Sequence, residues 1–309
     1  MNKLISLFLK GIGMGAANVI PGVSGGTIAL ITGIFERLIN SIKSVDHISI
    51  KYLFTGKIKL LWERLDMNFL IAVFAGIAAG IISIARIFGY FLDHYPVYIM
   101  SFFFGLILAS VFFVGKSVSK WNFSIILFFI LGAAIAISLT LLKPAQENSA
   151  LIYLILSGAV ATCSMILPGL SGSFVLILMG NYQLVMIDAV NHLNIAILAP
   201  VILGGVLGLI LFSKLLSWVF NKFRNHTISM LTGFILGSLG IIWPWKNIVP
   251  ATDSAGNILL KDSQPIVEGY QWFLPQFSNQ LIIAVALMFA GIAIIWLTET
   301  IAQNIKEKK

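Results

Sequence analysis

Apolar residues in this chain gather into long blocks separated by short polar seams, and the blocks sort by length into two classes. Six of them, 67–92, 96–115, 121–142, 194–220, 226–245 and 279–300, hold at least 20 residues. At 1.5 Å per residue a helix of that length crosses about 30 Å of hydrocarbon. Four shorter blocks, 4–20, 24–40, 151–167 and 171–187, come as two adjacent pairs, split at Pro21-Gly22 and at Pro168-Gly169. About 17 helical residues reach only about 25 Å, and a proline followed by a glycine breaks a helix for identifiable reasons: a lost N–H donor and a freed backbone. Each pair is therefore expected to form a hairpin of short helices that enters the membrane and turns back. Two short full spans would return the chain to the same side, and only the length argument favours re-entrance.

The two pairs are copies of one pattern. Leu167-Pro-Gly-Leu-Ser-Gly-Ser173 matches Ile20-Pro-Gly-Val-Ser-Gly-Gly26, and the same offset brings Gly11 onto Gly158, Gly33 onto Gly180 and Phe35 onto Tyr182. A shorter offset aligns Gly76, Gly80, Arg86, Gly105 and Ser110 with Gly204, Gly208, Lys214, Gly233 and Ser238, the change arising from an extra polar loop at 44–65. The fold expected is an all-α integral membrane protein of two repeats, 1–145 and 146–309, each a broken-helix hairpin followed by three spans. Three crossings per repeat force the second to run upside down relative to the first.

Charge tests that inference, because cytoplasmic loops are enriched in lysine and arginine. With the N-terminus inside, fifteen of the 20 basic residues fall on the cytoplasmic side, while Lys143, Lys246 and Lys261 lie outside, the last two in a long loop, 246–278, with Asp253, Asp262 and Glu268. Both termini are then cytoplasmic. The N-terminal apolar run is interrupted by Lys10 and lacks a small-residue cleavage site, so it reads as part of the mature fold and not as a signal peptide.

Composition narrows the class further. Hydrophobic residues make up 59% of the chain and charged residues 10%, against roughly 25% charged in an average globular protein. That excludes a disordered chain, a soluble enzyme and a nucleic-acid binder, and it turns the net charge of +8 into a report on topology. Cys163 stands alone, so no intramolecular disulfide or cysteine cluster forms. The histidines are scattered and suggest no metal site; no cofactor is expected.

The candidate chemistry sits at the breaks. Inverted repeats with broken helices mark many secondary transporters, and irregular backbone at membrane depth persists only where protein or a watery cavity encloses it. Each break opens a helix with small hydroxyl and glycine residues, Ser24-Gly25-Gly26-Thr27 and Ser171-Gly172-Ser173. Helix N-termini offer unpaired N–H groups and a positive dipole end, which suit a phosphate or carboxylate; the plainer alternative is that the serines cap and the glycines pack. Arg86 is the one charge well inside a full span, where arginine costs roughly 2.5–3.5 kcal/mol, so it is the candidate counter-charge. Lys214 is close enough to the interface to snorkel, and Glu36 and Arg37 are expected to pair or cap. Asn18, just before the first break, is a weaker, asymmetric candidate because its repeat mate is Met165. Glycine pairs 11/15, 76/80, 204/208 and 233/237 have the spacing of close helix packing.

Asn18-Val-Ile-Pro-Gly-Val-Ser-Gly-Gly-Thr27 with Gly33-Ile-Phe-Glu-Arg37, then Pro168-Gly-Leu-Ser-Gly-Ser173 with Gly180-Asn-Tyr182, resemble the signatures of the bacterial polyprenyl-phosphate transporters of the PopT type, formerly a domain of unknown function. The resemblance covers nearly the whole chain. It implies a flippase in the bacterial cytoplasmic membrane that moves undecaprenyl phosphate, the lipid carrier of cell-wall building blocks, from the outer to the inner leaflet for reuse. The head group would dock between the turns at Pro21-Gly22 and Pro168-Gly169, held by Ser24 to Thr27, Ser171 to Ser173 and Arg86. A coupling ion, proton or sodium, and the oligomeric state stay open. Two other readings stand beside it: a transporter of a small soluble anion, and a membrane phosphatase acting on the lipid pyrophosphate, which would need positioned acid, base or nucleophile groups where no paired carboxylates lie at depth.

Overall fold

A computed structural model describes residues 3–19, 24–142, 145–168, 170–190, 192–250, 258, 260–261, 264–265 and 267–307. Every expected long block is a helix: α6 (Met67–His94), α7 (Pro96–Lys116), α8 (Phe123–Leu141), α11 (Ile195–Lys222), α12 (Arg224–Ile242) and α13 (Asn279–Glu307), the other helices being introduced below. The starts have local causes. Asn122 accepts from the Ile125 N–H at 3.0 Å and Asn194 from the Ala196 N–H at 3.2 Å, while Pro96 occupies the first turn of α7, where its missing donor costs nothing. Among the described residues five helices are long and apolar enough to cross a membrane, and α5 (Ile58–Arg64) with Met67–Ser83, bent by 65°, makes a sixth candidate. The chain is a mostly helical, multi-pass membrane protein. Its exception is the long loop after α12, where Lys246–Pro250 pairs antiparallel with Val267–Trp272.

The four short blocks fold as two groups of short elements, not as two helices each. The first comprises α1 (Lys3–Val19), α2 (Gly25–Ile31) and α3 (Phe35–Lys43), and the second α9 (Leu151–Ile166), α10 (Gly172–Leu178) and a π-helix, Gln183–Ala189. The segments 24–40 and 171–187, expected as single helices, each break again at a glycine. Gly33 and Gly180 both adopt φ +71°, a left-handed conformation that glycine enters without penalty. Their N–H groups bond to the carbonyls of Leu30 and Ile177, and the next residues, Ile34 and Asn181, reach back to Ala29 and Leu176 at 3.0 Å. That pair of bonds satisfies the last carbonyls of each helix and stops it.

The hairpins double back. Lys10 Nζ donates to the Thr32 carbonyl at 2.6 Å, and Tyr153 OH to the Met179 carbonyl at 2.8 Å. Thr32 and Met179 are the C-caps of α2 and α10, so each hairpin is latched at the equivalent place by an unrelated donor.

Two compact units result, Met1–Arg86 with Pro144–Thr227, and Ile87–Lys143 with Ile228–Lys309. Each draws on both sequence halves. In the first, α1 packs on α6 and α9 on α11 through glycines: a Cβ on Gly11 or Gly15 would overlap the carbonyls of Val73 or Ile77, and one on Gly158 or Gly204 those of Val201 or Ile155. In the second, Gly105 and Gly291 hold α7 against α13, and Gly132 and Gly233 hold α8 against α12, in the same backbone-to-backbone manner. Lipid tails are as apolar as leucine, so such close contacts supply the dispersion that holds spans together.

The segment 44–65, expected as a polar loop, is instead α4 (His47–Phe54) and α5. Glu36 and Arg37 do not pair with each other: Glu36 binds Arg224 at 2.6 Å, and Arg37 binds Asp66 at 2.7 Å while lying over the Phe69 ring. Asp46 caps α4, accepting from the Ile48 and Ser49 N–H groups at 3.0 Å, and also pairs with Arg64 of α5. Burial would raise its carboxyl pKa, but the Arg64 hydrogen bond and charge and the backbone donors outweigh that and hold it at about 2, below the ordinary 3.8. A depressed carboxylate stabilises the fold above its unfolded pKa and loses that contribution as pH falls through the folded one. Amide exchange across 46–64 is therefore expected to stay protected at neutral pH and to open as pH drops from about 4 toward 2. Asp46→Ala removes the cap at every pH, costing about 1 kcal/mol, or roughly fivefold faster exchange; unchanged protection in that variant would show that the cap does not hold the pair.

Candidate functional site

The two breaks meet inside the first unit. Ser24, 2% exposed, is the N-cap of α2 and accepts from the Gly26 N–H at 3.1 Å, while its own hydroxyl faces the Leu167 carbonyl, 3.3 Å away at the end of α9. One side chain thus satisfies a donor at the first break and an acceptor at the second. Gly26 lets α2 approach closely enough for this, since a Cβ there would fall 2.5 Å from the Ile166 carbonyl.

The donors at the start of α2 are all used within the protein. Gly25 N–H goes to Asn18 Oδ1 at 2.8 Å, Gly26 N–H to Ser24 Oγ, and Thr27 N–H to the Ser24 carbonyl at 2.9 Å. Thr27 is 1% exposed, and Gly25 and Gly26 are buried. Asn18, one of the weaker sequence candidates, is the residue that completes this cap.

The start of α10 differs. Ser171 accepts from the Phe174 N–H at 3.2 Å, one residue further along than in the first copy, and its hydroxyl lies 3.4 Å from that of Ser173. Among the described residues the N–H groups of Gly172 and Ser173 have no such partner, and the Ser173 side chain is exposed. The described donors of the first break are all engaged, whereas the second leaves the Gly172 and Ser173 N–H groups and the exposed Ser173 side chain available.

They face a cavity of about 490 Å³ enclosed by α9, α10, the π-helix and α11. Its polar lining is Asn18, Ser24, Thr162, Ser171 and Ser173, and most of the rest of its wall is apolar, including Met165, Leu176, Ile202 and Val206. Met165 is 50% exposed and Ile202 62%, so the apolar part opens onto the outer surface of the helices. None of the described lining side chains carries a charge. Thr162 was not singled out by the sequence. Its hydroxyl lies 2.7 Å from the Gly158 carbonyl and 3.0 Å from that of Gly205 on α11, and its position in the other repeat is Gly15, so no paired signal marked it.

Of the remaining candidates, Pro168 is buried at the end of α9, while Pro21, Gly22 and Gly169 lie outside the described residues. Arg86 belongs to α6, but its side chain lies outside the described residues as well. Lys214 is exposed on α11, as a snorkelling residue would be.

A multi-pass helical protein with two broken hairpins joined at an amphipathic cavity has the architecture of a membrane transporter. The chain belongs to the family described as undecaprenyl phosphate translocase-like, whose model matches residues 14–259. It is 39% identical over 308 residues, 98% of each chain, to a polyprenyl-phosphate transporter of Vibrio cholerae. It is also 33% identical over 254 residues to a polyprenyl-phosphate transporter of Staphylococcus aureus, covering 76% of this chain and 85% of the relative. No solved structure matches it.

The joint between the breaks gives a direct test. Asn18→Ala strips the acceptor from the Gly25 N–H and is expected to cost about 1 kcal/mol, read as a lower unfolding midpoint in detergent. Ser24→Ala removes the bonds to Gly26 and Leu167 together and should cost more than Asn18→Ala; equal midpoints for Ser24→Ala and the unmodified protein would mean that the joint carries no stability.

Proposed function

We propose that the protein carries a polyprenyl phosphate, undecaprenyl phosphate in a bacterial cytoplasmic membrane, from the outer to the inner leaflet, as a flippase that recycles the carrier lipid. The observation that carries this reading is the cavity of the first unit, lined by a few hydroxyl and amide side chains and the start of α10 and otherwise by apolar side chains. A lipid phosphate has the same two parts. Its head group would sit at Ser171, Gly172 and Ser173 with Asn18 alongside, Ser24 to Thr27 would build the floor, and the isoprenoid chain would leave past Met165 and Ile202. The printed names of the relatives, polyprenyl-phosphate transporters, support transport over hydrolysis, and the apolar wall favours a lipid over a small soluble anion.

The helix pairing supports the inverted repeat that such a cycle uses. First-repeat α1 and α6 pack through glycines as second-repeat α9 and α11 do, and α7 with α13 corresponds to α12 with α8. In this arrangement the described donors of the first break are engaged and those of Gly172 and Ser173 at the second are available. Alternating access exchanges the states of the two repeats, exposing the site to one leaflet at a time. Both termini would be cytoplasmic. A proton or sodium ion would supply coupling where movement is uphill.

Arg86 is retained in the proposal as counter-charge, from its depth in α6. Its loss is expected to abolish head-group binding by purified protein while leaving it inserted. Ser171→Ala with Ser173→Ala removes hydroxyls that bond a charged group, at about 1.5–3 kcal/mol for such bonds, and should weaken binding of undecaprenyl phosphate tenfold or more. The readouts are binding to purified variants and leaflet-resolved accessibility of the lipid in cells with and without each variant. Unchanged binding in Arg86→Ala removes that role; binding unchanged in the serine variant as well, or competed equally by inorganic phosphate, overturns the lipid site.

A further inference from the structure

The pair α4 and α5 takes no part in the cavity. Its inner side is well fixed: Ser49, 4% exposed, donates to the Ser44 carbonyl at 2.6 Å, Asp46 ties α4 to Arg64, and Trp62 donates to Asn68 at the start of α6 at 3.1 Å. Its outer side is bare. Ile50, Leu53, Phe54, Ile58 and Leu60 are all exposed, Phe54 to 84%, and no residue of α5 is buried.

Lysines are interleaved with these apolar side chains. Lys51, Lys57 and Lys59 are exposed and in no ion pair among the described residues, whereas Asp46 and Asp66 are each paired with an arginine, leaving Glu63 as the exposed carboxylate of the pair. Short helices with bulky apolar and basic side chains together suit the boundary between head groups and acyl chains, where apolar area and attraction to anionic lipid add. The position of the pair is set by the chain: α5 runs through Leu65-Asp66 into α6 at a bend of 65°, so it starts at the level where a membrane span begins and turns away from that span's axis. Trp62 sits at this junction, as interfacial tryptophans do.

We propose that α4 and α5 form an interfacial anchor. They lie in the surface of the leaflet from which α6 starts, with Phe54 and its apolar neighbours among the acyl chains and Lys51, Lys57 and Lys59 against anionic phospholipid head groups. The anchor holds the entrance to α6, and through it the α1–α6 pair, at a fixed depth.

The test uses the full chain with Cys163→Ser and Phe54→Cys, labelled with an environment-sensitive dye and placed in nanodiscs of phosphatidylcholine alone or with phosphatidylglycerol. Brominated lipid should quench the dye strongly in the anionic discs, and aqueous iodide should reach it several-fold less than a dye at Glu63→Cys. Replacing the three lysines by glutamine is expected to weaken the preference for anionic discs on the order of a hundredfold, about 1 kcal/mol per lysine. Circular dichroism of the lysine variant keeps this distinct from unfolding. Free access of iodide to position 54 in anionic discs overturns the proposal. Protection that appears in lipid-free detergent and grows with protein concentration does so too, because a second copy then covers the face. Equal insertion in both lipid compositions removes the anionic partner and overturns it as well.

Discussion

Backbone polar groups inside an apolar medium must find partners within the protein, and the two helix breaks are where this chain confronts that requirement. A proline-glycine break frees carbonyls behind it and N–H groups ahead of it, and each group left bare in hydrocarbon costs several kcal/mol. Among the described residues the first break resolves its N–H side. Asn18, Ser24 and the Ser24 carbonyl take the first three donors of α2, and the Ser24 hydroxyl then serves a carbonyl of the other break. Burial of Ser24 and Thr27 follows from this, because a hydroxyl with its bonds made can be sealed from solvent at small cost. The second break leaves donors toward a cavity, and irregular backbone lining a cavity is the other condition under which it survives at membrane depth.

The glycine contacts serve the same end by a different route. For Ser24 to reach Leu167 the hairpins must approach until backbones touch, and the helices that carry them must be held just as closely. Gly11, Gly15, Gly76 and Gly80 bring α1 against α6, and Gly158, Gly204 and Gly208 bring α9 against α11. Side chains there would push each hairpin away from its supporting span. Geometry at the breaks therefore depends on residues as far as 56 positions distant in the chain, Gly80 from Ser24, which contribute no side chain to the site.

Long spans were legible in the sequence to within about three residues, because a hydropathy block ends where a helix leaves hydrocarbon, except at the end of α13, which continues past the expected 300 to Glu307. The breaks between α1 and α2 and between α9 and α10 were legible from Pro21-Gly22 and Pro168-Gly169. Other features were not, for physical reasons. Gly33 and Gly180 stood out as a matched pair, but their role as helix terminators depends on φ +71°, which composition does not encode. The 44–65 segment reads as polar because lysines alternate with apolar residues, which masks two short helices; Asp46 as cap and Gly56 after Phe54 were the available signals. Asn18 was ranked low for lacking a polar repeat mate, yet its bond reaches across the turn to Gly25, a relation visible only once the hairpin is closed. The two compact units, each combining both sequence halves, arise from long-range pairings that no local pattern carries.

Under the proposed function, in which Arg86 is the single counter-charge, the lack of charge among the described lining side chains has an energetic logic. A phosphate leaving the interface loses hydration, so the site must compensate part of that loss or the head group never enters. A site built from several cations would do so too well, since an ion pair in a poorly screened cavity is strong and the substrate has to leave on the other side. Hydroxyls and helix-end N–H groups give intermediate compensation: each bond to an anion is worth a few kcal/mol, and they can be made and broken as the break rearranges. Ser24 illustrates the alternative state of the same group, its hydroxyl committed to protein partners and unavailable to a ligand. A pair of equivalent serines, Ser24 bonded across to the other break and Ser171 bonded only within its own turn, is the arrangement expected if capping and ligand binding compete for the same atoms, and that competition would couple closure of a break to release of the head group.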